Sequence, residues 1–129
     1  MMGVMARRRR SMTRDDVLAY CTSLREAVED HPFGDEVSVF KVGGKMFAIV
    51  ALYGAPGEVT LKCDPELALE LRERHGAVRP GYHTNKKHWN TVDLDGSLDA
   101  DDIREMIDHS YELIVAALPK AVRTRLTHA

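Results

Sequence analysis

The chain has 129 residues, of which 44% are hydrophobic and 29% are charged, and its formal net charge at pH 7 is −2. This length fits one domain with a core large enough to fold without a disulfide or a structural metal. The sequence shows no apolar run of membrane-spanning length and no apolar stretch behind its N-terminal arginines. We therefore expect a cytoplasmic protein that does not contact membranes.

The first eleven residues are basic and of low complexity, with four consecutive arginines from Arg7 to Arg10 and no acid. We interpret residues 1–11 as a disordered basic arm that touches phosphate, or alternatively as a non-native leader or the product of a start codon upstream of Met12. Residues 12–129 are expected to form a single domain.

A helix is predicted over residues 14–28, because apolar residues recur there at helical spacing. Thr13 is the expected N-cap, and Asp16 completes an aspartate version of the capping box. Cys21 lies in this stripe and Cys63 lies in a later strand. Since neither belongs to a CxxC motif, we expect two buried thiols and no metal or cofactor.

Two strands are predicted at residues 37–42 and 45–52, separated by the turn Gly43-Gly44. Two glycines between β-rich segments are a strong hairpin signal, and the spacing of a phosphate-binding loop is missing. A third strand at 58–63 alternates, with Thr60 and Lys62 pointing outward.

The second helix begins at the N-cap Asp64 with Pro65 at its first position, and it is expected to end with Gly76 in a left-handed conformation. Strands at 77–79 and 88–94 follow. The last helix begins at Asp99 and is expected to stop at Pro119.

The predicted class is therefore α+β in two layers. An antiparallel five-stranded sheet carries helices on one face, in the order α-β-β-β-α-β-β-α. If the apolar residues of the last strand face the helices, Trp89 points to the opposite side with Thr60 and Lys62.

Charge is sorted along the chain. Residues 74–92 contain cations, histidines, amides and aromatic rings but no acid. Residues 37–57 contain Lys41 and Lys45 and also have no acid. Such a combination suits contact with phosphates and bases. The alternative is a solvated β-hairpin with a buried tryptophan.

Several motifs resemble the MmcQ/YjbR family of small bacterial proteins. They are HPFG at residues 31–34, VFKVGGKMFA at 39–48, GYHTNKKHWNTV at 81–92 and SYEL at 110–113. The block GYHxNKxHW is the specific one, although Thr84 stands where an apolar residue is expected. The resemblance spans residues 12–126.

This resemblance implies a fold likened to secretion chaperones and frataxin-like sheet proteins. It also implies DNA binding by a double wing, whose wings would be the Gly43-Gly44 hairpin and the loop at 84–87. The expected contact set combines cations, histidines, an amide and the tryptophan. It comprises Lys41, Lys45, Arg79, His83, Asn85, Lys86, Lys87, His88 and Trp89.

We expect DNA to be bound through its phosphate backbone without base specificity, with about four to five phosphate contacts and a log–log salt slope near −4. Two alternatives remain open. One is a protein-interaction or dimerisation module that uses an apolar far face of the sheet, with a homodimer as its simplest form. The other is an enzyme acting on an anionic metabolite, although no nucleophile–base set is visible and His83 and His88 lack a metal-ligand partner.

Overall fold

The computed structural model describes residues 10–81 and 84–128, which form a six-stranded antiparallel sheet and four helices. The strands are β1 (Val28–Asp30), β2 (Val37–Val42), β3 (Lys45–Ala51), β4 (Gly57–Lys62), β5 (Val78–Pro80) and β6 (Trp89–Leu94). The helices are α1 (Arg14–Ser23), α2 (Pro65–Arg74), α3 (Ala100–Ala116) and α4 (Lys120–Thr127). The strands lie in the order β1-β2-β3-β4-β6-β5.

One face of the sheet packs against the helices. Phe40, Ala48 and Leu61 lie side by side on this helix face, and they share a buried core with Ile103 and Ile107 of α3. The opposite face carries Ile49, Thr60 and Thr91 in neighbouring strands, and we call it the open face. The predicted two-layer α+β class is therefore confirmed, with six strands instead of five.

A buried serine fixes α3 on the central strands. The Ser110 hydroxyl donates to the carbonyl of Phe47 at 2.5 Å and accepts from the backbone N–H of Lys62 at 2.9 Å. Buried backbone groups must find partners, so these two bonds hold α3 at one position across β3 and β4. Tyr111 adds an edge-on contact with the Phe47 ring, at 5.4 Å between centroids.

The predicted helix caps are confirmed. Thr13 and Asp16 form the reciprocal capping box of α1, and the Asp64 carboxylate accepts from the backbone N–H of Leu67 at the start of α2. Asp99 caps α3 in the same way. These signals are local, because each cap bonds to backbone only two or three residues away.

Two boundaries differ from the sequence prediction, and one helix was not predicted. The first helix ends at Ser23, because Leu24 is extended and Glu26 turns the chain at φ 56, so that Val28 opens the edge strand β1 and is 59% exposed. The second helix ends with His75 extended, and Gly76 needs no left-handed conformation. The predicted stop at Pro119 is confirmed, because α3 ends at Ala116, but Pro119 is also the N-cap of the further helix α4, which was not predicted. Proline fits that position, because a helix start has no intrahelical partner for its N–H.

The β2–β3 hairpin contains a bulge. Phe40 pairs with Ala48 and Lys41 pairs with Met46, which leaves Phe47 as the extra residue. Phe47 is buried against Phe40 and Tyr111, whereas Met46 is part of the open face. Bulges re-aim side chains in this manner. Among the described helices, none has the length and apolar character needed to cross a bilayer.

The turn of this hairpin consists of two glycines, of which one lies against a buried side chain and the other faces open space. Gly43 has φ +57, and a Cβ there would lie 2.7 Å from Cδ1 of the buried Leu118. Gly44 has φ +80 with open space around it. Both substitutions to alanine cost backbone strain, but only Gly43→Ala also displaces a packed side chain.

We therefore expect Gly43→Ala to lower the free energy of unfolding by about 2 kcal/mol and Gly44→Ala by about 1 kcal/mol. Urea denaturation of the two variants measures both values. Equal losses would show that the Leu118 contact does not constrain the hairpin tip.

Candidate nucleic-acid interface

The two predicted wings lie at the same end of the sheet. The β2–β3 turn follows the pair Val42↔Lys45, and β4 ends and β6 begins at the pair Lys62↔Trp89. Strand β5 ends at Pro80, opposite Asn90, so the 81–88 loop leaves the sheet at this end as well. We call this the lysine end of the sheet.

Strand spacing gives the separation of the two wings. Only β4 stands between β3 and β6 in the sheet order. With neighbouring strands about 4.8 Å apart, the wings are separated by roughly 10–15 Å. That span is comparable to the width of the B-DNA major groove, about 12 Å.

Three of the expected cations are exposed at the lysine end: Lys45 beside the turn, and Lys86 and Lys87 in the loop. The Lys86 ammonium also donates to the carbonyl of Gly81 at 3.2 Å. Lys41 is half-buried and forms an ion pair with Asp30 at 3.0 Å. The hydrogen bonds from the Lys41 ammonium and from the backbone N–H of His31 lower the pKa of the Asp30 carboxyl.

Arg79 is placed differently. Its guanidinium is bound by Asp93 at 2.8 Å and by Glu58 at 2.9 Å, and the hydrogen bond with Asp93 raises the pKa of Arg79. Two carboxylates therefore balance its charge. Its expected contact with phosphate has no support in this geometry, because a phosphate would have to displace both acids.

The 81–88 loop is held by Arg72 of α2. The Arg72 guanidinium donates to the Asn90 side-chain oxygen at 2.7 Å, to the carbonyl of Trp89 at 3.3 Å and to the carbonyl of Lys86. Asn90 is buried, so the arginine satisfies an acceptor that water cannot reach. Sequence reasoning missed Arg72, because its partners lie 14 to 18 residues away.

The remaining expected contact residues help to shape the loop. The Asn85 side-chain oxygen accepts from the backbone N–H of Lys87 at 2.9 Å, and its carbonyl accepts from the N–H of His88 at 3.1 Å. The carbonyl of His88 accepts from Cys63 at 2.7 Å. These are turn-forming contacts of the kind expected for asparagine.

Trp89 lies at the lysine end opposite Lys62 and is half-buried. Strand alternation puts both on the open face with Thr60, as the sequence predicted. His83 lies outside the described residues. Lys62 belongs to the lysine end but was not among the expected contacts, although the outward alternation of β4 was a usable signal.

Thr84, the unusual residue of the loop, packs closely against its neighbours. Its side-chain oxygen has no hydrogen-bond partner in the described part of the chain, and a Cβ on Gly81 would collide with it at 2.2 Å. Gly81 therefore permits the close approach of Thr84 to the strand end.

The described residues hold no group of three or more His, Cys, Asp and Glu side chains that is suited to a metal ion. Both cysteines are buried free thiols, as expected. Burial raises the pKa of Cys21 to about 12 and that of Cys63 to about 11. Both thiols are therefore protonated at neutral pH.

The predicted N-terminal arm falls mostly on residues 1–9, outside the described residues. At its end, the backbone N–H of Arg10 donates to the Asp99 carboxylate at 3.2 Å, and its carbonyl accepts from Ala100 at 2.8 Å. Met12 is buried in the core.

Comparison with known proteins matches residues 22–113 to the YjbR family model. The chain is 39% identical over 115 residues to the uncharacterised protein YjbR of Escherichia coli K12, covering 89% of this chain and 98% of that protein. It is 38% identical over 96 residues to the uncharacterised protein YbdF of E. coli O157:H7, covering 74% and 78%. Neither name states an enzymatic activity.

Two solved structures share the fold. A Deinococcus radiodurans protein with a DUF419 domain superposes with a TM-score of 0.84 at 41% identity, covering 90% of this chain and 88% of that one. A Pseudomonas syringae protein superposes with a TM-score of 0.71 at 30% identity, covering 80% and 99%.

Replacement of Arg72 tests whether it holds the loop. Arg72→Ala leaves the buried Asn90 oxygen without its donor, so we expect the free energy of unfolding to fall by about 1–3 kcal/mol. Hydrogen exchange should also quicken at the N–H groups of Gly81 and His88, which bond to Trp89 and Asn85.

Arg74→Ala is the matched control, since Arg74 lies on the same helix and makes only an exposed ion pair with Glu70 at 3.7 Å. Its expected effect is below about 0.5 kcal/mol. Unchanged exchange in Arg72→Ala would mean that the loop holds its conformation without Arg72.

Proposed function

This chain belongs to the YjbR family, and we propose that it binds DNA through the phosphate backbone at the lysine end of its sheet. The observation that carries the proposal is the common placement of the two lysine-bearing wings. Lys45 lies beside one tip, and Lys86 and Lys87 lie on the other, all exposed at one end of the sheet.

Acidic side chains are also concentrated on α3, although the same helix layer carries the exposed cations Lys120 and Arg125 of α4. The exposed acids Asp101, Asp102, Glu105 and Glu112 belong to α3, which packs on the helix face. The acids of α3 disfavour an approach of DNA along that helix, and the exposed lysines favour an approach at the lysine end. Charge sorting of this kind orients a partner even when the net charge is slightly negative.

The wings fit phosphates on the two sides of one groove. Lys45 would contact one strand of the duplex while Lys86 and Lys87 contact the other, and the half-buried Trp89 borders the same site. Contacts to phosphate position a protein without reading sequence. We therefore propose no base preference.

The ion pairs of Arg79 with Asp93 and Glu58, and of Lys41 with Asp30, reduce the number of free cations among the five expected. Three exposed lysines, Lys45, Lys86 and Lys87, remain as the main contacts. Each neutralised phosphate contributes about −0.9 to the log–log salt slope, so the expected slope is about −3 and not −4.

Salt-dependent binding to a mixed-sequence duplex tests the proposal. The starting protein carries Arg7, Arg8, Arg9 and Arg10 as glutamine, because four arginines bind DNA by themselves. Arg10 contacts α3 through its backbone, which these substitutions retain. We expect Lys86→Ala/Lys87→Ala to flatten the slope by about two units.

The control is Arg74→Ala/Arg104→Ala, which removes one cation from the end of α2 and one from the start of α3, both away from the lysine end. Its slope should equal that of the starting protein. If both double variants change the slope equally, binding is not located at the lysine end and the proposal is wrong. The proposal also fails if the starting protein does not bind DNA at low salt.

A further inference from the structure

The open face carries an apolar groove that the DNA proposal does not use. Its floor is formed by Met46, Ile49 and Ala51 of β3, and its volume is about 560 Å³. Phe33 and Tyr53 border the groove. They come from the β1–β2 and β3–β4 connections, which share the end of the sheet opposite the lysine end.

The bulge in β3 contributes to this groove. It shifts the pairing so that Met46 lies opposite Lys41 while Ile49 lies opposite Val39. Phe47 between them packs into the helix core. The open face therefore gains a continuous apolar strip along β3, on the side where an antiparallel sheet is usually polar.

The two aromatic side chains that border the groove are exposed to solvent. Phe33 is 63% exposed and Tyr53 is 68% exposed, although both border an apolar floor. Exposed apolar surface gathered into a concave site is typical of ligand binding. Two accessible aromatic rings also offer faces with negative potential, which attract cations.

The polar groups of the groove favour a cation as well. Glu36 is exposed at its border, and Glu58 lies beside Thr60 on the floor, where it is partly balanced by Arg79 at 2.9 Å. Among the described residues, the groove lining includes no lysine or arginine. At the other end, the Thr84 side-chain oxygen is without a hydrogen-bond partner among the described residues.

We propose that this groove binds a small amphipathic organic cation. Its flat apolar body lies on Met46 and Ile49 between Phe33 and Tyr53, and its protonated amine lies against Glu36. The volume suits a ligand of this size, since small-molecule sites commonly measure about 300–1,000 Å³. The two carboxylates repel phosphate, so this site is chemically separate from the lysine end.

Dansylcadaverine is a suitable probe, because it joins an aromatic dye to a primary amine and its fluorescence rises in an apolar site. The matched anion is dansyl-6-aminohexanoate, which carries a carboxylate instead of the amine. With the full chain at moderate salt, we expect the cation to bind at least about tenfold more tightly than the anion.

Two variants locate the site. Tyr53→Ala should weaken binding of the cation by about threefold to tenfold through loss of an aromatic wall. Glu36→Gln should weaken binding of the cation by about threefold and leave binding of the anion unchanged or tighter. Both residues are exposed, so neither change is expected to disturb folding.

Matched controls come from α2, away from the groove. Leu69→Ala removes a side chain that is 59% exposed, and Glu66→Gln removes an exposed carboxylate. Neither should alter binding of the probe. The Lys86→Ala/Lys87→Ala variant should bind it normally, so a failure of the DNA proposal leaves this result unaffected.

Equal affinity for cation and anion would overturn the proposal, as would equal effects of the groove and α2 variants. Light scattering over a range of protein concentrations distinguishes a different occupant. If the wild-type chain dimerises and Tyr53→Ala makes it monomeric, a second copy covers the groove, and the small-cation proposal is wrong.

Discussion

The pairing of β4 with β6 is the constraint on which the architecture depends. Six residue pairs, from Gly57↔Leu94 to Lys62↔Trp89, join chain segments separated by the whole of α2. Without this ladder, the β2–β3–β4 meander and the β5–β6 pair would be separate sheets. The ladder puts both wings at one end and sets the face of every side chain around them, because one residue of slip would reverse them. On the open face it brings the hydroxyls of Thr60 and Thr91 to 2.8 Å, which satisfies polar groups at the centre of the sheet.

The one-sided helix layer follows from the second constraint, the fixed position of α3. Ser110 ties that helix to β3 and β4, so the helices cover only one face of the sheet. The open face must then remain stable beside water. It does so with paired polar groups on β4, β5 and β6, where Arg79 is bound by Asp93 and Glu58. Strand β3 is the exception, and its apolar residues form the groove.

The sequence predicted what depends on local chemistry. Thr13 and Asp64 predicted the starts of their helices, because an N-cap side chain bonds to the first turn of its own helix. The position of Trp89 on the open face was predicted by strand alternation. These local signals could not predict contacts between residues that are far apart in the sequence. Arg79 stands in an acid-free run of sequence, yet folding brings Glu58 to it from 21 residues away. Val28 continues the helical spacing of α1, but pairing with β2 makes it part of an edge strand.

The protein thus carries two regions with opposite electrostatic preferences. Exposed lysines at the end of the sheet suit an anionic polymer, whereas Glu36 and the aromatic walls of the groove suit an organic cation. Thr84 connects them physically, because it lines the groove and belongs to the loop that carries Lys86 and Lys87. If both proposals hold, a groove ligand that changes the affinity for DNA by shifting this loop has its own affinity changed by DNA by the same factor. The loop is thus the part of the chain that the two proposed sites share, and Arg72 ties it to α2 through hydrogen bonds.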